Sequence, residues 1–140
     1  MNQQQEMQKK VQEYQQIQKE QQELQEYKQE LEDNLEELET TKDAIDELKK
    51  KEKGEEVMVP LGSGAYIKSE LEETDEIIVN IGAEAYSTKE PEEAKDLLSR
   101  RKDKIEEAME EVGETIEENQ EQMKKLVPEI QKMRQEAQGQ

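Results

Sequence analysis

No cysteine, histidine, phenylalanine or tryptophan occurs among the 140 residues, and only three are proline. Each absence removes a class of chemistry. Without Cys there is no disulfide framework and no thiol nucleophile, and a cytoplasmic setting is the expectation. Without His the commonest general base is missing, and with Cys also absent so are the usual zinc ligands. Hydrophobic residues make up only 30% and tyrosine is the sole aromatic type, too little apolar surface for a compact core at this length. No apolar run approaches the roughly 20 residues that span a bilayer. The opening "MNQQQEMQKK" lacks the apolar core of a signal peptide.

What the chain has is charge. Acidic residues number 38 against 20 basic ones, a net charge of −18 with both signs interleaved. Such a surface repels nucleic acid and anionic membrane at long range, so neither is an expected partner. Two classes fit this composition: a disordered acidic chain and a protein of long helices. Periodicity separates them.

From about Gln3 to Lys53, Ile17, Leu24, Leu31, Leu38 and Ile45 recur every seventh residue, and Met7, Tyr14, Gln21, Lys28, Leu35 and Lys42 form a second row three residues ahead. These are the two seam rows of a heptad repeat, a phase that disorder would not keep. The segment closes on "LKKKEKG", with lysines suited to a helix C-terminus and Gly54 suited to a left-handed cap. The last segment opens at "STKEPEEA", where Thr88 or Ser87 is the expected N-cap and Pro91 suits the first turn. It carries the rows Leu98, Ile105, Val112, Asn119, Leu126, Met133 and Met109, Ile116, Met123, Ile130, Ala137.

The two halves match in reverse order. Leu38 falls opposite Ile105, Leu31 opposite Val112, Leu24 opposite Asn119 and Ile17 opposite Leu126. That symmetry favours one antiparallel coiled coil within the chain over two coils that each pair with another chain. Arms of about 45–50 residues would be roughly 70 Å long, with both termini at the free tip.

Between them, from about Val57 to Ser87, the period drops to two, the mark of short strands. "PLGSG", "EETD" and "IGAE" are the expected turns. The expected fold is therefore α+β and mainly α. It comprises an N-terminal coiled-coil helix (1–54), a β-hairpin assembly region (55–88) and a C-terminal coiled-coil helix (89–140), one domain in all. Hairpins this small are marginal alone, and their open edges invite pairing with other chains. Val57, Val59, Ala65, Ile67, Ile77, Val79, Ile81 and Ala85 are the expected oligomerisation residues.

No catalytic, cofactor-binding or metal-binding residue is expected, and the chain is not read as an enzyme. Paired carboxylates such as Glu36-Glu37, Glu106-Glu107 and Glu117-Glu118 sit on solvated helix faces. "LGSGAYIK" lacks the Gly-Lys-Ser/Thr ending of a phosphate loop and reads as a turn. "SRRKDK" (99–104) reads as charged flanks of the second helix. Asn119 in an apolar seam reads as a register device. Pro128 is out of place in a helix interior. Near the tip, Met7, Val11 and Tyr14 are expected to meet Leu126, Val127, Ile130 and Met133; methionine there suits binding to varied apolar partners.

Taken together, "VPLGSGAYIKSEL", "IIVNIGAEAYS" and "EEAKDLLSRR" between two long heptad helices resemble the α class of archaeal prefoldin subunits. The resemblance implies a hetero-hexamer of two α-type and four β-type subunits, in which the hairpins complete a β-barrel platform. It implies an ATP-independent chaperone that holds unfolded polypeptides at the coil tips and passes them to a group II chaperonin. It places client contacts on Met7, Val11, Tyr14, Val127, Ile130 and Met133. The α class carries two hairpins per subunit and the β class one. The alternative is a structural or adaptor coiled-coil protein that binds one specific folded partner.

Overall fold

The computed structural model describes residues 2–139. Two long helices flank two small antiparallel hairpins, as the change of period requires. The order is α1 (Gln3–Lys49), β1 (Glu56–Gly62), β2 (Ala65–Glu70), β3 (Ile77–Gly82), β4 (Ala85–Lys89) and α2 (Pro91–Gln138). The chain divides into two compact units, residues 2–34 with 105–139 and residues 35–104.

The first unit pairs the N-terminal part of α1 with the C-terminal part of α2. Its buried apolar residues are Ile17 and Leu31 on α1 and Val112, Ile116 and Leu126 on α2, all members of the heptad rows. Leu31 packs on Val112 and Ile116, with Leu24, Ile105, Ala108 and Met109 around them. The Lys10 amine lies 2.6 Å from Glu129 and the Gln3 amide donates to Glu136 at 2.8 Å. Rising numbers on α1 thus meet falling numbers on α2, and the pairing is antiparallel within one chain. Asn2 starts α1 with a reciprocal cap that the sequence reading passed over. Its side-chain oxygen accepts from the Gln5 amide at 2.8 Å, and the Gln5 side chain accepts from the Asn2 amide at 3.4 Å.

The second unit holds both hairpins. Its core is Ile45, Val79, Ala94 and Leu98, with Leu38, Ile77 and Leu97 packed against it. Burying side chains of this size contributes about 1.5–3 kcal/mol each. The inner face of the second hairpin is therefore fixed to the helices.

The two helix ends at the hairpins differ from expectation. α1 stops at Lys49, five residues before Gly54. The Lys50 and Lys51 amides donate to the Glu47 and Leu48 carbonyls, an i to i−3 tightening that ends the helix. Gly54 does adopt a positive φ of 86°, but in the turn that leads into β1, where its amide donates to the Leu71 carbonyl at 2.7 Å. Thr88 and Ser87 do not cap α2, because both lie in β4. Pro91 is the first helical residue and disfavours helical geometry at Glu90, so the strand runs on to Lys89.

The hairpins share one plan. Ladder pairs Pro60↔Tyr66 and Gly62↔Ala65 recur twenty residues later as Asn80↔Tyr86 and Gly82↔Ala85. Leu61 and Ile81 are the extra residues of matching bulges. The two turn residues are left-handed in both hairpins: Ser63 and Gly64 at φ 53° and 79°, Ala83 and Glu84 at φ 48° and 64°. Left-handed pairs give the primed turn that fits strand twist.

α2 continues through Pro128 to Gln138. The proline supplies no amide to the Lys124 carbonyl one turn back, at a cost of about 3 kcal/mol in a helix interior. Pro128→Ala should therefore slow amide exchange in the last three turns of α2 by roughly a hundredfold, measured by hydrogen exchange. Unchanged rates would show that those turns do not feel the missing bond.

Candidate functional site

Two surfaces carry accessible apolar side chains, one in each unit. In the second unit, β3 and β4 turn Ile77, Val79, Ser87 and Lys89 inward. Ile78 and Tyr86 point the other way and are 74% and 65% exposed. The first hairpin contributes no side chain to the buried cluster. On it Met58, Leu61, Tyr66, Ile67 and Val59 are all exposed. The hairpins are separate two-stranded sheets, so each of the four strands has one unpaired edge.

The residues expected to drive oligomerisation divide accordingly. Val59, Ala65, Ile67, Ile81 and Ala85 are exposed, and Val57 is half-buried. Ile77 and Val79 are committed to the chain's own core. The outward Met58, Tyr66, Ile78 and Tyr86 were not singled out from the sequence. Their signal was there: strands with apolar residues at both odd and even positions are covered on both faces.

"SRRKDK" is structural. Arg101 donates to the Asn80 carbonyl, and the Asn80 side chain accepts from the Gly82 amide at 2.8 Å, so α2 holds the second hairpin at its bulge. Lys102 pairs with Glu39 at 2.8 Å. Asp46 pairs with Lys95 at 2.6 Å, and Lys49 pairs with Glu92. Hydrogen bonds from Lys102, Lys95 and Lys49 hold the Glu39, Asp46 and Glu92 carboxyls below their ordinary ranges, and Asp46 in turn holds the Lys95 amine up.

The second surface is at the chain-terminal end of the first unit. Met7 and Met133 line a shallow groove of about 420 Å³ together with Asn2, Gln3, Gln4 and Ala137. Val11, Tyr14 and Ile130 are half-buried, whereas Val127 is exposed. The six residues expected to touch clients thus lie at one end of the unit, where Met7 and Met133 share a groove. Farther along, the Asn119 amide donates to Gln21 Oε1 at 3.0 Å, and Gln21 Nε2 donates to the Ile116 carbonyl at 3.2 Å. Asn119 therefore has a side-chain partner beyond the Leu24 expected opposite it, and Gln21 completes the polar layer.

Among the described residues no cluster of acidic side chains is arranged to hold a metal ion, and no helix is long and apolar enough to cross a membrane.

Residues 17–136 match the family model described as prefoldin subunit. Among solved structures the chain is similar to one in the cryo-EM structure of filamentous PFD from Methanocaldococcus jannaschii. The TM-score is 0.72 at 22% identity, over 86% of this chain and 98% of that one. That likeness is one of fold. No curated protein matches by sequence.

Two measurements check this geometry. The depressed native pKa values mean that Glu39, Asp46 and Glu92 contribute fully above the ordinary carboxylate range, and that the contribution is lost as pH falls through the native values. Carboxyl NMR titration should place each below the ordinary value for its residue type, and Lys95→Met should return Asp46 to its own. In the first unit, Asn119→Leu alone removes the donor to Gln21. Gln21→Leu with Asn119→Leu should replace the polar layer by an apolar one and raise Tm by about 5 °C in a thermal melt.

Proposed function

The chain belongs to the prefoldin subunit family, and from that premise we propose that it is an α-type subunit of an ATP-independent holdase. Chaperone-type function is common to the family. In this reading the hairpins join β-type subunits in a hetero-hexamer of two α and four β chains. The coil ends capture unfolded polypeptides, which are passed to a group II chaperonin in the cytoplasm.

The observation that carries the reading is the uncovered apolar surface of both hairpins. Ile78, Tyr86, Met58 and Leu61 exceed 60% exposure, and no described residue of this chain covers them. Exposed apolar patches rimmed by polar residues mark interaction sites, and the four free strand edges add backbone donors and acceptors to the same surface. Two hairpins per chain support the α type. At the other surface, methionines lining a groove suit clients of varied sequence.

Native mass spectrometry of this chain with a one-hairpin prefoldin subunit should give a hexamer. Ile78→Glu with Tyr86→Glu should abolish it while helicity is kept. The wild-type hexamer should suppress light scattering from a denatured enzyme diluted into buffer without ATP. Removing the residues before Tyr14 and after Lys125 should abolish that protection and leave the hexamer intact. A trimmed hexamer that protects equally well refutes the assignment of the coil ends. A single stoichiometric folded partner in place of unfolded clients supports the adaptor reading.

A further inference from the structure

The chain's negative charge stops short of the client-facing end. Residues 1–21 and 122–140 carry seven basic side chains, Lys9, Lys10, Lys19, Lys124, Lys125, Lys132 and Arg134, against five acidic ones, Glu6, Glu13, Glu20, Glu129 and Glu136. Seven less five leaves +2, so residues 22–121 carry −20 of the total −18.

The structure turns this small excess outward. Lys124, Val127, Gln131 and Arg134 follow at helical spacing along one exposed stripe of α2, with Lys125 and Lys132 exposed beside it. Glu129 and Glu136 are the i+4 partners that Lys125 and Lys132 would ordinarily have. Both are drawn across to α1 instead, Glu129 by Lys10 at 2.6 Å and Glu136 by Gln3 at 2.8 Å. Among the described residues, Lys124, Lys125, Lys132 and Arg134 make no ion pair. The stripe is thus basic, unpaired, and centred on Val127, the exposed large apolar residue of this end.

We infer that this end of the coil selects unfolded clients of acidic composition, binding apolar segments flanked by Asp and Glu. This deepens the holdase reading and rests on it. Charge decides where such a client can settle. Glu121 stands four residues, about 6 Å along α2, before Lys125. Glu114 and Glu117 lie beyond the Debye length of about 8 Å at physiological salt, so the local field is that of the four cations with one carboxylate at their inner edge. An acidic client is repelled by the rest of the first unit, residues 22–34 and 105–121, where 13 acidic side chains stand against one basic, and is stable only at the stripe. A basic client is drawn to that acidic stretch, away from the Met7–Met133 groove and Val127. Complementarity of this kind sets specificity and on-rate more than total affinity.

The test uses the assembled protein and two fluorescent peptides of about 20 residues with the same Leu, Val and Tyr positions, one carrying Glu and the other Lys at every polar position. By anisotropy at low salt the acidic peptide should bind roughly tenfold tighter, and the difference should vanish near about 0.5 M salt. Lys124→Glu, Lys125→Glu and Lys132→Glu together should reverse the preference. Gln at the same three positions should erase it, which serves where charge reversal unfolds the coil. The peptides should cross-link to residues 122–134. Equal or tighter binding of the Lys peptide at that segment overturns the inference while leaving the holdase reading intact. Binding of neither peptide, with no protection of a denatured enzyme, removes the holdase reading itself. A salt-sensitive rise in native mass without peptide assigns the stripe to the acidic flank of a second copy and also overturns the inference.

Discussion

Ala94 has no exposed surface because Ile45, Val79 and Leu98 close over it, and the hairpin-bearing unit depends on that closure. A methyl group sets how near β3 can approach the helices. Anything larger would lift Val79 and Ile77 away, and overpacking of this kind costs about 1–3 kcal/mol. The ion pairs Glu39–Lys102, Asp46–Lys95 and Lys49–Glu92 lie outside the core and are partly exposed. Pairs of that kind add little net stability, so their use is to fix the stagger of α1 against α2 around the apolar contact. Arg101 extends the same logic to the hairpin by occupying the Asn80 carbonyl at the bulge.

The first unit resolves a different conflict. Its seam is too polar to be held by burial alone, since Gln21 and Lys28 occupy heptad positions on α1. Gln21 and Asn119 satisfy one another, and the Ile116 carbonyl takes the remaining Gln21 donor. A buried polar layer of this kind stabilises less than leucine, but sliding the register would leave its amides unpaired. Specific pairing in a thin two-helix coil is thereby kept without phenylalanine or tryptophan.

Much of this was legible in the sequence. The heptad rows name the buried positions on both helices except Ala94, because in a coil so poor in apolar residues most of them have to face the seam. The strands and their turns followed from period two and from Gly62, Gly64 and Gly82. The helix ends were less legible: Gly54 and Thr88 are good caps, but Gly54 lies in the turn before β1 and Thr88 is taken into β4. The outward set Met58, Tyr66, Ile78 and Tyr86 was obscured because polar Lys68, Glu70 and Asn80 share its alternate positions. The partner of Asn119 was obscured for another reason: a glutamine in a heptad row looks like a blemish until its contact is seen.

The twenty-residue offset between the hairpins places Val59 where Val79 lies in the second copy. Val79 is buried by Ile45, Ala94 and Leu98, whereas Val59 is 43% exposed. The molecule thus contains the same module twice, once docked on its own helices and once undocked. Excising the undocked copy would subtract an outward contact without opening the core of the chain. The number of hairpins can therefore vary among chains built on one helical scaffold, making valence a property of the connector and stability a property of the stem.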